Sequence, residues 1–240
     1  MASIIGPRQS TLQRDCARVV AHMKKLTEEK VLITISRQMG SGGAYLGRRV
    51  AGRLGFRYVD RDILKRATEH FGESEEDISF REERVSGFLE SLLKGFIYGS
   101  PETAYVPPSI RPVYDVDLFK AEAAIIRDIA DRHSAVIVGR ASFQVLKDRR
   151  GLASVFLHAP EEFRIRRVME GYQLSVPEEA AKLIRQSDAQ RKRFIEKVAG
   201  ADWTDALCYH LCIDTGAAGL LAAENMIVEL AEKIADRLGR

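Results

Sequence analysis

The sequence predicts an α/β fold in which a parallel β-sheet is covered by helices on both of its faces. Short apolar runs rich in β-branched residues, such as VLITIS (31–36) and SAVIVG (134–139), have the length and composition of buried strands. Segments with helical periodicity separate these runs, and this alternation is typical of a parallel sheet. Ligands of such sheets bind beyond the carboxyl ends of the strands, so we expect the functional residues to follow strands.

The predicted elements follow one another along the chain. Strands are predicted at 31–36, 56–60, 134–139, 153–159 and 207–214. Helices are predicted at 44–54, 60–71, 72–96, 116–132, 142–149, 160–171, 175–200 and 217–238. Gly55 marks the end of the first of these helices, while Ser175 and Glu178 have the spacing of a capping box. The segment 98–115 holds four prolines and shows no periodicity, which predicts a long loop.

Residues 1–30 precede the first strand and contain an amphipathic segment that we predict to be an extra helix. Its apolar stripe has two interpretations. The helix packs on the domain that follows, or it pairs with a second copy of the chain in a homodimer.

Composition excludes several classes of function. The 37 basic residues nearly match the 34 acidic ones, and a net charge of +3 is too small for a nucleic-acid-binding face. No apolar run approaches the roughly 20 residues of a membrane span. Cys16, Cys208 and Cys212 form an odd, sparse set that favours a reducing compartment, so we expect a cytoplasmic protein. The last two lie on one predicted buried strand, about 13 Å apart, which favours core packing over a shared metal ion.

A glycine loop lies between the first strand and the helix after it. The sequence GSGG lets the backbone turn tightly, and the N-terminus of the following helix adds its positive end at the same place. Together these features predict an anion site that binds the phosphates of a nucleotide. The residues expected to bind it are Gly40, Ser41, Gly42, Gly43, Ala44 and Tyr45.

The loop lacks the lysine of the standard GxxxxGK[ST] pattern, in which lysine meets the outer phosphates and a hydroxyl holds magnesium. Gly43, Ala44 and Tyr45 follow Gly42 here, so both groups are missing. Phosphoryl transfer depends on positioning and charge neutralisation, so another cation must replace the lysine if the chemistry is retained. Arg37, at the start of the loop, is the nearest candidate, and the alternative is an ordinary surface arginine.

Charged residues follow the other predicted strands as well. Asp60 follows the second strand and Arg140 the third, while Arg164 and Arg167 lie on one face of the helix after the fourth. Arg191 lies in a later helix rich in lysine and arginine. Guanidinium groups match phosphate oxygens two at a time, which favours phosphate binding. The alternative for any one of these arginines is a solvated surface pair with a nearby glutamate.

The segment ITISRQMGSGGAYLGRRVAGRLGFRYVDRDIL resembles the cytidylate kinase-like family, a branch of the P-loop nucleoside monophosphate kinases. The resemblance continues through AVIVGRASF, SVFLHAPEEFRIRRV and SDAQRKRFIEKVAGADWTDALCYHLCIDT, and covers most of residues 31–235. It implies a P-loop kinase-like three-layer fold over residues 31–240, with a sheet of about five strands. It also implies an insertion at about 70–115 that binds the monophosphate and a helical lid at about 160–200.

The resemblance further implies roles for individual residues. YVDRDILKR resembles the segment that addresses the acceptor nucleotide, which points to Asp60 and Arg66. VGRAS resembles a Gly-Arg-Asp segment, which points to Arg140 on the acceptor, with Ala141 in place of the aspartate. Together with Arg37, the two ends of the lid are expected to supply the catalytic cations, which are Arg164, Arg167, Arg191 and Arg193.

Three functions agree with these observations. The first is phosphorylation of a nucleoside monophosphate of the CMP or UMP type by ATP, with Mg²⁺ held mainly by phosphates and water and with Ser36 or Ser41 as a further ligand. The second is a non-catalytic nucleotide-binding or regulatory module, which the loss of the lysine suggests. The third is a kinase for a different phosphorylated acceptor. In each, the partners are small-molecule nucleotides or related phosphorylated compounds.

Overall fold

A sheet of five parallel strands lies at the centre of the computed structural model, which describes residues 30–60 and 116–239. The strands are β1 (Leu32–Arg37), β2 (Arg57–Val59), β3 (Ala135–Val138), β4 (Leu152–His158) and β5 (Leu211–Asp214). Their spatial order is β2-β3-β1-β4-β5, and every neighbouring pair runs parallel. The predicted α/β class and parallel sheet are therefore confirmed.

The helices of the described residues connect these strands and cover the sheet. They are α1 (Gly43–Leu54), α2 (Val116–Arg132), α3 (Ser142–Val145), α4 (Glu161–Tyr172), α5 (Pro177–Ala199), α6 (Thr215–Ala218) and α7 (Leu220–Leu238). A single 3₁₀ turn, Ala206–Cys208, precedes β5. The predicted end of α1 is confirmed, because Gly55 adopts φ +68° and closes the helix with a bond from its N–H to the Ala51 carbonyl.

Alternating side chains of β1 contribute to the apolar clusters on the two faces of the sheet. Ile33 and Ile35, both fully buried, belong to the apolar cluster beneath α1 and α7. Leu32 belongs to a second cluster, where Ile126 and Ile129 of α2 pack on the opposite face. A strand places successive side chains on opposite faces, so one short apolar run serves both layers. This is the three-layer arrangement that the sequence predicts.

The register of β1 brings two chain segments together at the carboxyl end of the sheet. Ile35 pairs with Val138, and the Gly139 N–H donates to the Ile35 carbonyl at 3.0 Å. On the other side, Arg37 pairs with Leu157 of β4. The loop that follows β1 is therefore flanked by the segments that follow β3 and β4.

The predicted capping box at Ser175 and Glu178 is wrong. Helix α5 begins at Pro177, with Val176 in the N-cap position and no side-chain hydrogen bond to the cap. Proline has a fixed φ suited to the first helical position and lacks the N–H that a cap would satisfy. Its position therefore decides where the helix starts.

The predicted strand 207–214 is wrong in its first half, because only Leu211–Asp214 joins the sheet. Asp205 accepts a hydrogen bond from the Leu207 N–H at 2.9 Å and starts the 3₁₀ turn before β5. Since β5 is an edge strand, Cys212 is exposed, and its expected core packing is wrong. Cys208 is half-buried and packs against the apolar cluster around Phe156 and Trp203. The last predicted helix is interrupted at Gly219, which has φ +78° and separates α6 from α7.

Several predictions lie outside the described residues. These are the extra N-terminal helix with its homodimer, the insertion at about 70–115, the loop at 98–115 and Arg66. Helices α4 and α5 occupy the segment of the expected lid, and its movement stays a prediction. Within residues 30–60 and 116–239, no helix combines the length and the apolar character needed to cross a bilayer.

Candidate active site

The glycine loop after β1 is held in place by buried hydrogen bonds. Gly40 and Gly42 have φ of +84° and +86°, a left-handed conformation that suits glycine. Between them, the fully buried Ser41 donates its hydroxyl to the carbonyls of Gln38 at 2.8 Å and Leu157 at 3.2 Å. The loop is therefore fixed to the ends of both β1 and β4.

Backbone N–H groups of the loop are available to a ligand. Those of Gly40, Gly42, Gly43 and Ala44 donate to no acceptor within the part of the chain that the structure describes. The first helical bond of α1 runs from the Leu46 N–H to the Gly42 carbonyl at 2.9 Å. Alternating left-handed residues followed by a helix N-terminus form an anion-binding concavity. The predicted phosphate loop therefore has the donors that it needs.

Helix α4 packs directly on this loop. A Cβ on Gly40 would lie 2.8 Å from the Arg164 carbonyl oxygen, so only glycine lets the two backbones approach this closely. A Cβ on Gly42 would lie 2.8 Å from a Leu220 methyl group and 3.8 Å from an Arg167 guanidinium nitrogen. The structure thus brings both predicted arginines of α4 to the loop.

Arg37 occupies the space beside the position where the standard loop carries lysine. Its side-chain stem lies across Gly43, where an added Cβ would be 2.6 Å from the Arg37 Cγ. Its guanidinium group rests against Gly139, at the place that a Cβ on that glycine would fill. Arg37 thus reaches from the glycine loop to the end of β3, and a side chain at either glycine would displace it.

The Arg37 guanidinium is poorly compensated. No hydrogen bond or ion pair joins it to any residue of the described ranges 30–60 and 116–239. Burial, together with repulsion from Arg191 and Arg140, lowers the pKa of Arg37 to about 10, although Tyr58 and Asp60 oppose the shift. A buried cation that faces other cations is an expected binding partner for an anion.

The segment after β3 is strained around Arg140. Gly139, Arg140 and Ala141 have φ of +83°, +56° and +52°, and the last two lack glycine's freedom to adopt it. Arg140 donates two hydrogen bonds to the buried Glu122, one from Nε at 2.7 Å, and its guanidinium lies 4.4 Å from the centre of the Phe194 ring. Arg140 is therefore locked in orientation by an acid and an aromatic ring.

Asp60 and Tyr58 lie on the same side of the site, at the end of β2. Asp60 is mostly buried and lies 3.8 Å from an Arg48 nitrogen. Within the described residues, the buried Tyr58 hydroxyl has no partner in good hydrogen-bond geometry, although the Asp60 carboxylate lies close to it. The Tyr58 ring lies beneath the Arg48 guanidinium at 5.3 Å. Burial and the charge of Asp60 raise the pKa of Tyr58.

Asp188 connects the loop to both helices of the expected lid. It accepts hydrogen bonds from the Met39 N–H at 2.8 Å, from Arg164 at 2.7 Å and from Arg191 at 2.8 Å. Arg193 lies two residues beyond Arg191, so it faces another side of α5, where it is exposed. The structure therefore places Arg191 at the loop and Arg193 away from it.

A family model for the cytidylate kinase-like family matches residues 32–217. The chain belongs to this family. Its membership supports a kinase-type phosphotransfer role and confirms the resemblance seen in the sequence motifs. A comparison with curated protein sequences gave no match.

A solved structure shares the fold of this family member, and two solved kinases are similar to it at lower TM-scores. An uncharacterized protein from Eubacterium ventriosum ATCC 27560 is 20% identical, with a TM-score of 0.63 over 85% of this chain and 99% of that one. The shikimate kinase from Acinetobacter baumannii in complex with shikimate is 19% identical, with a TM-score of 0.43 over 88% of this chain and 98% of that one. A gluconokinase from Sinorhizobium meliloti 1021 is 20% identical, with a TM-score of 0.45 over 87% and 93% of the two chains.

Some site residues of this cytidylate kinase-like protein escaped sequence reasoning. Glu122 lies in none of the segments that carry the resemblance, and Tyr58 and Thr215 lie in such segments without an assigned role. Thr215 binds the loop by donating its hydroxyl to the Ser41 carbonyl at 2.9 Å. Asp188 stands in the DAQRKRF motif, so its signal was present although its role was not assigned. The lone tryptophan, Trp203, is buried against Phe156 of β4 and docks the segment that follows α5.

Proposed function

We propose that the protein transfers a phosphoryl group from ATP to a nucleoside monophosphate of the CMP or UMP type. The observation that carries the proposal is the glycine loop, whose four unused N–H groups stand at the start of α1 beside the buried Arg37. Membership of the family supports the class of reaction. The identity of donor and acceptor is the part that the experiments below test.

On the donor side, Arg37 supplies the positive charge that lysine supplies in the standard loop. Its stem crosses Gly43 and its guanidinium lies by Gly139, between the loop and the residues that follow β3. This position lies between the phosphate loop and the acceptor residues, where the transferred phosphoryl group would pass. A desolvated guanidinium there stabilises the charge of that group without reorganisation.

On the acceptor side, Asp60 and Arg140 face the site from the ends of β2 and β3. Arg140 would bind the acceptor's phosphate or base, with its orientation fixed by Glu122. The acceptor phosphate oxygen is already anionic, so the reaction requires no strong general base. That oxygen forms a bond to the γ-phosphorus of ATP as the bridging P–O bond breaks, and ADP leaves.

Magnesium fits this site as part of the nucleotide complex. Within the described ranges, no three His, Cys, Asp or Glu side chains form a group that could hold a cation. The Ser41 hydroxyl is already used by two carbonyls, and Ser36 is buried. The chain therefore fits an ion held by phosphate oxygens and water, which would neutralise phosphate charge.

A kinase for another phosphorylated acceptor is the second candidate. Ala141 is buried at the position where the Gly-Arg-Asp segment of the family carries an aspartate. The contact that this aspartate would make with the base of the acceptor nucleotide is therefore missing. The experiment is a coupled assay of ADP formation with ATP–Mg²⁺ and a panel containing CMP, UMP, AMP, GMP and phosphorylated sugars. Turnover confined to CMP or UMP supports the proposal, and turnover confined to another acceptor supports the second candidate.

Thermal melting separates either kinase from a non-catalytic module. ATP that raises the melting temperature without turnover of any acceptor would contradict the proposal and support a regulatory nucleotide site. Arg37→Ala should lower kcat by more than about tenfold, which corresponds to roughly 1.4 kcal/mol of barrier. Arg132→Ala is the matched control. Arg132 ends α2 just before β3 begins, at the end of the sheet away from the glycine loop, and among the described residues it pairs with Asp128 at 2.8 Å.

A further inference from the structure

Asp188 joins three chain segments that are distant in sequence. Its Oδ1 accepts from the Met39 N–H and from Arg191, and its Oδ2 accepts from Arg164. Met39 belongs to the loop after β1, Arg164 to α4, and Arg191 to α5 along with Asp188 itself. Hydrogen bonds that involve a charged group are shorter and stronger than neutral ones, and here three of them meet on one carboxylate.

Met39 is attached to the two lid helices by its side chain as well as its backbone. Its carbonyl accepts a hydrogen bond from Arg164 at 3.4 Å, in addition to the bond from its N–H to Asp188. The thioether side chain is buried among Val168 of α4 and Ala180 and Ile184 of α5. The loop and the base of the lid therefore form one packed unit.

Asp188 also balances the charge of the two arginines it holds. Arg164 and Arg191 are mostly buried, with 12% and 25% of their side chains exposed, and Arg191 repels Arg37. Without a carboxylate between them, these guanidinium groups would separate toward solvent. With it, they stay beside the loop, close to the place where an anion would bind.

We propose that Asp188 is a positioning residue that fixes Arg164 and Arg191 against the glycine loop. The proposal rests on the proposed function in so far as these arginines act on the transferred phosphoryl group. In this arrangement, hydrogen bonds within the protein itself hold the two guanidinium groups beside the loop. Preorganisation of this kind raises kcat, because the donors are in place when charge develops.

The test uses Asp188→Asn, which keeps the shape of the side chain and removes its charge. We expect kcat to fall by about tenfold or more, with a smaller change in the KM for ATP. We also expect faster hydrogen exchange of the Met39 amide, measured by NMR, while the Gly139 amide on the Ile35 carbonyl is unchanged. Asp188→Glu, which keeps the charge, should recover part of both properties.

Glu161→Gln is the matched control, because the exposed Glu161–Arg185 pair at 3.4 Å joins the same two helices away from the loop. It should leave kcat and the hydrogen exchange rate of the Met39 amide unchanged.

If Asp188→Asn proves too unstable, Arg191→Gln replaces it. This variant should lose kcat, and the hydrogen exchange rate of its Met39 amide should stay unchanged. Wild-type kcat in Asp188→Asn, or lower kcat with unchanged Met39 exchange, would overturn the proposal. If the wild type turns over no acceptor, the proposed function fails, and the exchange measurement alone decides on Asp188.

Discussion

The side chain of Arg37 lies across Gly43, with its Cγ 2.6 Å from the position of a Cβ on residue 43. Glycine is therefore required at the position where the standard loop has lysine, because any larger residue would take the space of the Arg37 stem. The absent lysine and the buried arginine are two aspects of one arrangement. This relationship turns an apparent defect of the loop into a testable structural coupling.

Gly43→Ala should lower kcat/KM by about tenfold with little change in melting temperature, because the added methyl group displaces Arg37 and residue 43 needs no left-handed backbone. In an Arg37→Ala background, the same substitution should cost almost nothing further. A double-mutant cycle on kcat/KM measures this coupling. Losses that simply add would show that Gly43 and Arg37 act independently.

Gly139→Ala should cost stability and activity together. Residue 139 has φ +83°, and left-handed backbone costs a non-glycine residue about 1 kcal/mol, while the Arg37 guanidinium must also move away. Gly55→Ala is the matched control, since it has φ +68° with no atom within 4 Å of an added Cβ. Both variants should show a similar fall in melting temperature, and only Gly139→Ala should lose turnover. Equal turnover in the two variants would contradict the contact between Arg37 and Gly139.

Arg37→Gln should stabilise the protein at neutral pH while it abolishes turnover. Burial lowers the pKa of Arg37 from 12.5 to about 10, so the charged form is less favourable in the folded than in the unfolded state. A cation whose pKa is lowered on folding reduces stability at every pH below about 10. Its cost then disappears as the pH rises from about 10 toward 12.5, where the unfolded chain holds the proton longer.

Melting temperatures of the wild type and Arg37→Gln across pH 7–11 check this prediction. The melting temperature of Arg37→Gln should exceed that of the wild type by most at neutral pH, and this difference should become smaller above pH 10. Addition of ATP should raise the melting temperature of the wild type more than that of the variant, since the ligand relieves the buried charge. A variant less stable than the wild type at pH 7 would show that Arg37 is well compensated.

Tyr58→Phe should make the protein more stable. Among the residues that the structure describes, the buried Tyr58 hydroxyl has no partner in good hydrogen-bond geometry, although Asp60 lies close to it, and an unsatisfied buried group costs about 1–3 kcal/mol. Thr34→Val is the control, because the Thr34 hydroxyl is also buried without a partner but lies within β1. Both should raise the melting temperature, and only Tyr58→Phe should raise the KM for the acceptor, because Tyr58 adjoins Arg37 and Asp60. An unchanged KM for the acceptor in both variants would show that Tyr58 serves only in packing.

Local patterns were enough to predict the sheet and the glycine loop from the sequence. The strand before Gly40 and the helix after Gly43 are each specified by neighbouring residues, so β1 and α1 were found close to their true bounds. Prediction failed where a neighbour competed with a motif. Pro177 overrode the capping pattern of Ser175, and Asp205 started a turn in place of the first half of a strand.

The contacts that define the site could not be predicted, because they join residues far apart in the chain. Met39 and Asp188 are separated by 149 positions, and the contact of Arg37 with Gly139 depends on β3 lying beside β1. The sequence does not state the order of the strands. The sequence identifies Arg37 as a candidate cation, and the fold shows that its side chain packs against Gly43 and Gly139.

The packing of Arg37 against Gly43 and Gly139 restricts which substitutions this loop can accept. A mutation that restored lysine at residue 43 while Arg37 stayed would put two cations in competition for one space. A mutation that first removed Arg37 would leave the loop with no cation at that place. On the role proposed for Arg37, either single step lowers turnover, so a return to the standard loop requires both replacements together.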